Sequence, residues 1–189
     1  MVKVLAFSGS ARKASFNQAV AAVAANGAKL AGAEVTLINL GDYPMPIFNE
    51  DDESANGMPE KAEEFKRLLL GHDAFIIVSP EYNSSYPALL KNAIDWASRM
   101  QEGEKPLQAY KGKPVAIMAA SAGALGGMRV LVALKMLLGN IGMHVLPNQK
   151  AIGKVNTLIN DDGELDDEKT VKQIHQLSAQ LVEFTAKLK

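Results

Sequence analysis

Apolar positions in this chain fall into short continuous runs separated by stretches in which they recur every three or four residues. That is the alternation of buried strands with amphipathic helices. VKVLAFS, Val2–Ser8, is a short apolar run that stops at a glycine, as a buried parallel strand does. From Ser15 to Ala31 the apolar residues Phe16, Val20, Val23 and Leu30, with Gly27 between them, stripe one face of a helix. EVTLINL, Glu34–Leu40, reads as a second strand, and the prolines and acidic run of Tyr43–Met58 predict a long irregular loop. A helix over Glu60–Leu70 and a third strand over Asp73–Ser79 follow. Pro87 suits a first helical turn and introduces a helix over Ala88–Met100. A fourth strand at Lys113–Ser121, a helix at Met128–Asn140, a short fifth strand at Met143–Pro147 and a C-terminal helix complete the pattern. The last helix carries Val171, Ile174, Leu177, Leu181, Phe184 and Leu188 at helical spacing. Strands alternating with helices in this way imply a doubly wound α/β sheet with helices on both faces.

Composition narrows what such a sheet can do. The 189 residues fit a single domain over 1–189, and a chain of that size buries about 70% of the surface its unfolded form exposes. A net charge of −1 gives no basic excess for nucleic acid and no polybasic surface for a membrane. With no Cys at all, disulfides, thiolate metal sites and a catalytic thiol are excluded. A reducing cytoplasm is the expected compartment. The N-terminal apolar run breaks at Ser8, too early for a signal peptide, and Pro114–Met128 is too short and glycine-rich to span a bilayer as a helix.

In open α/β sheets ligands bind beyond the carboxyl ends of the strands, where strand order reverses. The loops after strands one, three and four are therefore the ones to read. The first is GSARKASFN, written G-S-x-R-x-x-S-x-N, at the start of a helix. A helix N-terminus presents unpaired N–H groups and a partial positive charge, so an anion is favoured there before any side chain acts. Ser10, Ser15 and Asn17 add hydrogen-bonding groups, and Arg12 adds a charge-assisted donor. Ser15 also reads as a helix cap, with Gln18 completing a capping box, and the two roles are compatible. The loop lacks the lysine of a Walker A loop and the spaced glycines of a dinucleotide fingerprint.

The second loop, PEYNSSYP, sets a proline, a carboxylate, an aromatic and an amide at the end of a buried strand. Tyr82 offers a flat apolar face with a polar tip, the amides of Glu81–Asn83 could reach a heterocycle's edge, and Glu81 is assigned an orienting role. Lys91, Asn92, Asp95 and Trp96 read as residues that pack the following helix. The third loop, SAGALGG, has Ser121 and the glycines Gly123, Gly126 and Gly127, which let backbone approach a planar ligand. AASAG is half of a G-x-S-x-G motif, too little for a serine nucleophile. His72, His144 and His175 lack metal-ligand spacing, and Asp161–Glu168 does not match a calcium loop, so no metal is expected.

Gly9, Ser10, Arg12, Ser15 and Asn17, with PEYN at Pro80–Asn83 and with Pro87, Leu90, Lys91, Asn92, Asp95 and Trp96, give the chain its resemblance to the NADPH-dependent FMN reductase family. That group contains small quinone, azo-dye and chromate reductases. The resemblance spans essentially the whole chain, with Ala122 standing where the family often has proline. It implies a flavodoxin-like five-stranded parallel sheet of order 2-1-3-4-5. It further implies FMN held at its phosphate by Ser10, Arg12, Ser15 and Asn17, with Pro80, Glu81, Tyr82 and Asn83 bordering the isoalloxazine and Ser121 and Gly123 across from them. No side-chain catalyst is implied, because flavin carries the chemistry, with NADPH or NADH as hydride donor and quinones or similar small molecules as acceptors. A homodimer or homotetramer is also implied, its contacts at Tyr43–Met58 and Ala88–Met100. The alternative is a flavodoxin-type electron carrier or an FMN-binding module without turnover; a shuttle needs a strongly acidic docking surface, which a net charge of −1 matches poorly.

Overall fold

A computed structural model describes residues 1–189. Its elements in chain order are β1 (Lys3–Ser8), α1 (Phe16–Leu30), β2 (Glu34–Asn39), α2 (Glu50–Asn56), α3 (Glu60–Gly71), β3 (Ala74–Val78), α4 (Ala88–Ser98), β4 (Pro114–Ala120), α5 (Met128–Asn140), β5 (His144–Val145), β6 (Lys150–Ile152) and α6 (Glu168–Leu188). The sheet runs β2-β1-β3-β4-β5 with every pairing parallel, the order that the resemblance implies. No helix is long and apolar enough to cross a membrane.

Strand side chains alternate between two cores, as a period of two requires. Val4, Ala6, Ile76, Val78, Ala116 and Met118 face α1 and α6. Leu5, Phe7, Phe75, Ile77, Val115 and Ile117 face α3, α4 and α5. Burial of each large apolar side chain contributes about 1.5–3 kcal/mol. The edge-to-face pair of Phe7 and Phe65, with centroids 5.5 Å apart, ties α3 to β1.

Three expectations are corrected. The fifth strand is not Met143–Pro147 but two pieces: β5 pairs with the start of β4, and β6 pairs with Met118–Ala120 after an interruption at Pro147. Proline has no N–H for the ladder, so the edge strand breaks there and resumes. The segment Tyr43–Met58 is not wholly irregular, because Glu50–Asn56 forms α2. Asn49 caps it by accepting the Asp51 N–H at 3.0 Å, and four acidic residues occupy its first turn, where the helix dipole favours them. On α1 the buried face is Val20, Ala21, Ala24, Ala25, Gly27 and Ala28, while Leu30 is exposed. Small residues let α6 come close: a Cβ on Gly27 would lie 2.8 Å from the His175 Cα.

Candidate functional site

The ends of β1, β3 and β4 are stitched side by side. The Gly9 N–H donates to the Val78 carbonyl at 2.9 Å and the Ser79 N–H to the Met118 carbonyl at 2.9 Å. The chain leaves β1 for β2 on one side and returns at β3 on the other, so strand order reverses between β1 and β3. In open α/β sheets such a reversal is where ligands bind. All three loops singled out in the sequence converge there.

In the first loop, a Cβ on Gly9 would meet Leu90 at 3.1 Å, so the chain passes close over α4. Ser10 is buried and its Oγ accepts the Arg12 N–H at 3.4 Å. Ser15 caps α1 by accepting the Gln18 N–H at 3.3 Å. The capping box is only half formed, because the Gln18 side chain reaches the Ile38 carbonyl at 3.5 Å instead of returning. Asn17 is 4% exposed, and its amide both donates to the Ala120 carbonyl and accepts the Ala120 N–H, each at 2.9 Å. It therefore joins the loop to the end of β4, with one N–H left over. Arg12 is exposed and lies over the Phe16 ring, 5.3 Å from its centroid. The N–H groups of Ala11, Lys13, Ala14, Ser15, Phe16 and Asn17 donate to nothing else in the chain. Such a ring of unpaired donors at a helix N-terminus fits a phosphate.

In the second loop Pro80 is buried, and Tyr82 to Ser85 form a two-residue hairpin turn closed by Tyr82 N–H to Ser85 C=O at 2.9 Å and the reverse bond at 3.0 Å. Asn83 and Ser84 sit at φ 50° and 67°, the left-handed pair of a type I′ turn. Tyr82 is 56% exposed. The N–H groups of Glu81, Asn83 and Ser84 are unpaired. The Glu81 carboxylate accepts the backbone N–H groups of Arg129 at 3.0 Å and Val130 at 3.1 Å, the first turn of α5. Glu81 therefore caps α5.

The third loop is held from a side that the sequence reading missed. Ser121 N–H donates to the Ile152 carbonyl, Val155 N–H to Ser121 and Lys154 N–H to Gly123, each at 3.1 Å. The Ser121 Oγ faces its own loop, at 3.4 Å from the Gly123 carbonyl. Side chains on Gly126 or Gly153 would overlap the opposing backbone, so the two segments touch through glycine alone. A three-residue β6 is too short to leave a periodic signal; Gly153 was the one visible clue. The N–H groups of Ala122, Gly123 and Ala124 are unpaired.

Lys91 and Asp95 pair with each other at 2.7 Å along α4. Asn92 and Trp96 do more than pack their own helix. Asn92 accepts the Phe48 N–H at 2.8 Å, and Asn92 and Trp96 donate to the Pro46 carbonyl at 2.9 and 2.8 Å. Arg99 grips Glu53 at 2.8 and 3.0 Å and stacks 5.1 Å from the Phe48 centroid. The segment before α2 is thereby docked on α4 beside the site. A separate groove of about 660 Å³ runs along the outer side of α1 against Ile159, Leu165 and Val171. It borders the first loop at Lys13, Ala14, Ser15 and Phe16 and reaches neither of the other two loops.

The profile of the NADPH-dependent FMN reductase family matches residues 2–157. An NAD(P)H-dependent FMN reductase of Pseudomonas aeruginosa is 37% identical over 176 residues, 93% of this chain and 90% of that protein. A quinone reductase of Escherichia coli K12 is 34% identical over 185 residues, covering 97% and 93%. Among solved structures, the flavoenzyme NAD(P)H:(acceptor) oxidoreductase FerB of Paracoccus denitrificans superposes with a TM-score of 0.82 at 33% identity, over 99% of this chain and 98% of that one. A flavodoxin from the Archaea matches at 12% identity with a TM-score of 0.64, which speaks for the flavodoxin-like fold alone. With the loops, sheet order and near full-length matches in agreement, the chain belongs to the NADPH-dependent FMN reductase family.

Proposed function

We propose that this chain is an FMN-dependent NAD(P)H oxidoreductase that passes electrons to quinones or similar acceptors, azo compounds and chromate among them, by a ping-pong mechanism. The observation that carries the reading is the convergence of unpaired backbone N–H groups from three loops at the reversal between β1 and β3. One group of donors, at the start of α1, suits the FMN phosphate, with Ser10, Arg12 and Ser15 beside it and Asn17 holding the loop to β4. The others, at Glu81–Ser84 and Ala122–Ala124, suit the edge of a flat heteroaromatic ring. Pro80, Glu81, Tyr82 and Asn83 would border that ring on one side, and Ser121 and Gly123 on the other.

FMN, when bound, would supply the redox chemistry, taking electrons from NADPH or NADH and passing them to the acceptor. The chain's task is to hold and orient the ring and to stabilise developing negative charge with fixed N–H dipoles, which need not reorganise during the reaction. No side chain in the site is arranged as nucleophile and base. Tyr82, more than half exposed, is placed to contact whichever planar molecule enters.

The whole chain is proposed as one FMN-binding domain that assembles as a homodimer or homotetramer. Ile47 and Met100, in the two segments proposed as contacts, are 74% and 60% exposed. A monomer by light scattering would contradict the assembly. For the activity, FMN-loaded protein is mixed with NADPH or NADH and a benzoquinone, and absorbance at the nicotinamide band is followed. Oxidation with both electron donor and quinone required is the expected result. FMN retained without any oxidation would instead identify an electron carrier.

A further inference from the structure

The turn at Tyr82–Ser85 is strained, and something must hold it. A type I′ turn places both central residues in the left-handed region, which asparagine tolerates and serine adopts poorly, and neither Asn83 nor Ser84 is a glycine. Such conformations persist only where surrounding structure over-determines them. Arg129 is the group that does so. Its Nη1 donates to the Ser84 Oγ at 3.2 Å and to the Glu81 Oε1 at 3.4 Å, so one guanidinium grips the residues flanking Tyr82 and Asn83. The other Glu81 oxygen accepts the Arg129 and Val130 N–H groups. Gly127, at the N-cap of α5, has no side chain to satisfy those amides, and Glu81 takes that place.

The anchor itself is rigid. Gly127 lies at φ 84°, and a Cβ there would stand 2.7 Å from the Ala119 Cβ, so the start of α5 is pressed onto β4. Ser84, Glu81 and Arg129 close a loop of contacts from the turn to the sheet. We propose that Arg129 is a positioning residue: through Glu81 and Ser84 it holds the 82–85 turn in its left-handed form and so sets where the Asn83 and Ser84 N–H groups meet the flavin edge. The claim about the ring rests on the FMN reading above, whereas the claim about the turn does not.

The full-length protein is compared with Arg129→Ala, Arg129→Lys and the double variant Arg129→Ala/Ser84→Gly. Amide hydrogen exchange of Tyr82 and Ser85, whose N–H groups close the turn, measured without added FMN, should be about tenfold faster in Arg129→Ala, the scale of one left-handed residue released. The double variant should regain slow exchange, because glycine enters this region without a Cβ penalty. Arg129→Lys keeps the charge but not the fork and should fall between. With FMN bound, Arg129→Ala should shift the two-electron midpoint potential by about 30 mV, which is a tenfold change in equilibrium. It should lower kcat with NADPH and NADH alike, with KM little changed. Unaltered exchange and potential in Arg129→Ala, or failure of Ser84→Gly to restore them, would overturn the proposal. So would a loss confined to KM for NADPH, which would make Arg129 a contact for the 2′-phosphate. If wild type binds no FMN, the exchange series still decides the turn while the FMN reading fails.

Discussion

Asn17 carries a task that its place in the motif does not reveal. In the sequence it completes G-S-x-R-x-x-S-x-N, and an amide beside a helix N-terminus reads as an anion ligand. In the structure both faces of its amide are engaged by the Ala120 backbone, 103 residues away in the chain. No local pattern encodes that partner. Asn17→Ala should cost about 2 kcal/mol, since it leaves a buried N–H and C=O unpaired, and thermal unfolding of the FMN-free protein measures it. Arg12 is the contrasting case. It is exposed and rests on Phe16, so Arg12→Ala should leave the melting temperature unchanged and weaken FMN binding roughly tenfold, equivalent to about 1.5 kcal/mol for one charge-assisted bond. Flavin fluorescence on titration reads that change, and unchanged affinity would remove Arg12 from the phosphate site.

At the scale of elements, the segment around α2 departs furthest from its sequence reading. Its prolines argue against regular structure, yet Asn49 and the acidic first turn start a helix, and Gly57 at φ 75° ends it. The helix is held by Arg99 at the end of α4, a partner 46 residues away from Glu53. A second link of this kind fixes the chain after α4. Lys66 on α3 is buried, donates to the Arg99 carbonyl at 2.5 Å and pairs with Glu104, whose side chain is 16% exposed. Burial raises the Glu104 pKa, but the Lys66 ammonium and the Gln101 N–H outweigh it and hold the carboxyl below its ordinary value. Its contribution to stability is therefore present at neutral pH and is lost as pH falls through that lowered pKa. Glu104→Gln leaves the ammonium buried without a counter-charge and should cost about 3 kcal/mol. For a chain this size that is roughly 6–12 °C in Tm by calorimetry.

Across the whole molecule, the two ends of the sheet carry different duties. The carboxyl edge gathers the loops with free N–H groups, while the opposite edge holds the fold together. There Lys113 donates to the Leu69 and Leu70 carbonyls at 2.5 and 3.3 Å, closing the C-terminus of α3 against the start of β4. Burial lowers its pKa to about 8, with nearby Asp73 opposing the shift. Because the folded pKa lies below the unfolded one, the unfolded chain binds more protons between about pH 8 and 10.5, and stability from this group rises with pH across that window. Lys113→Met lacks that rise. The stability of wild type relative to the variant, from denaturant unfolding at pH 7 and pH 10, should shift in favour of wild type at the higher pH. A constant difference would show that burial does not lower the Lys113 pKa in the folded state.

The strands and helices other than α2, β5 and β6, the parallel doubly wound class and the three loops at the carboxyl edge were set by the sequence, because each rests on contacts within a turn or on the period of buried side chains. The loops GSARKASFN and PEYN were legible for the same reason, as a helix start and a strand end. Only the tertiary structure decided that Asn17 braces β4, that Glu81 caps α5, that Arg129 closes on Ser84 and that β6 backs the SAGALGG loop. Each of these is a hydrogen bond between residues far apart in the chain. Which distant donor meets which acceptor is fixed by how the helices pack on the two faces of the sheet, and no local run of residues records it.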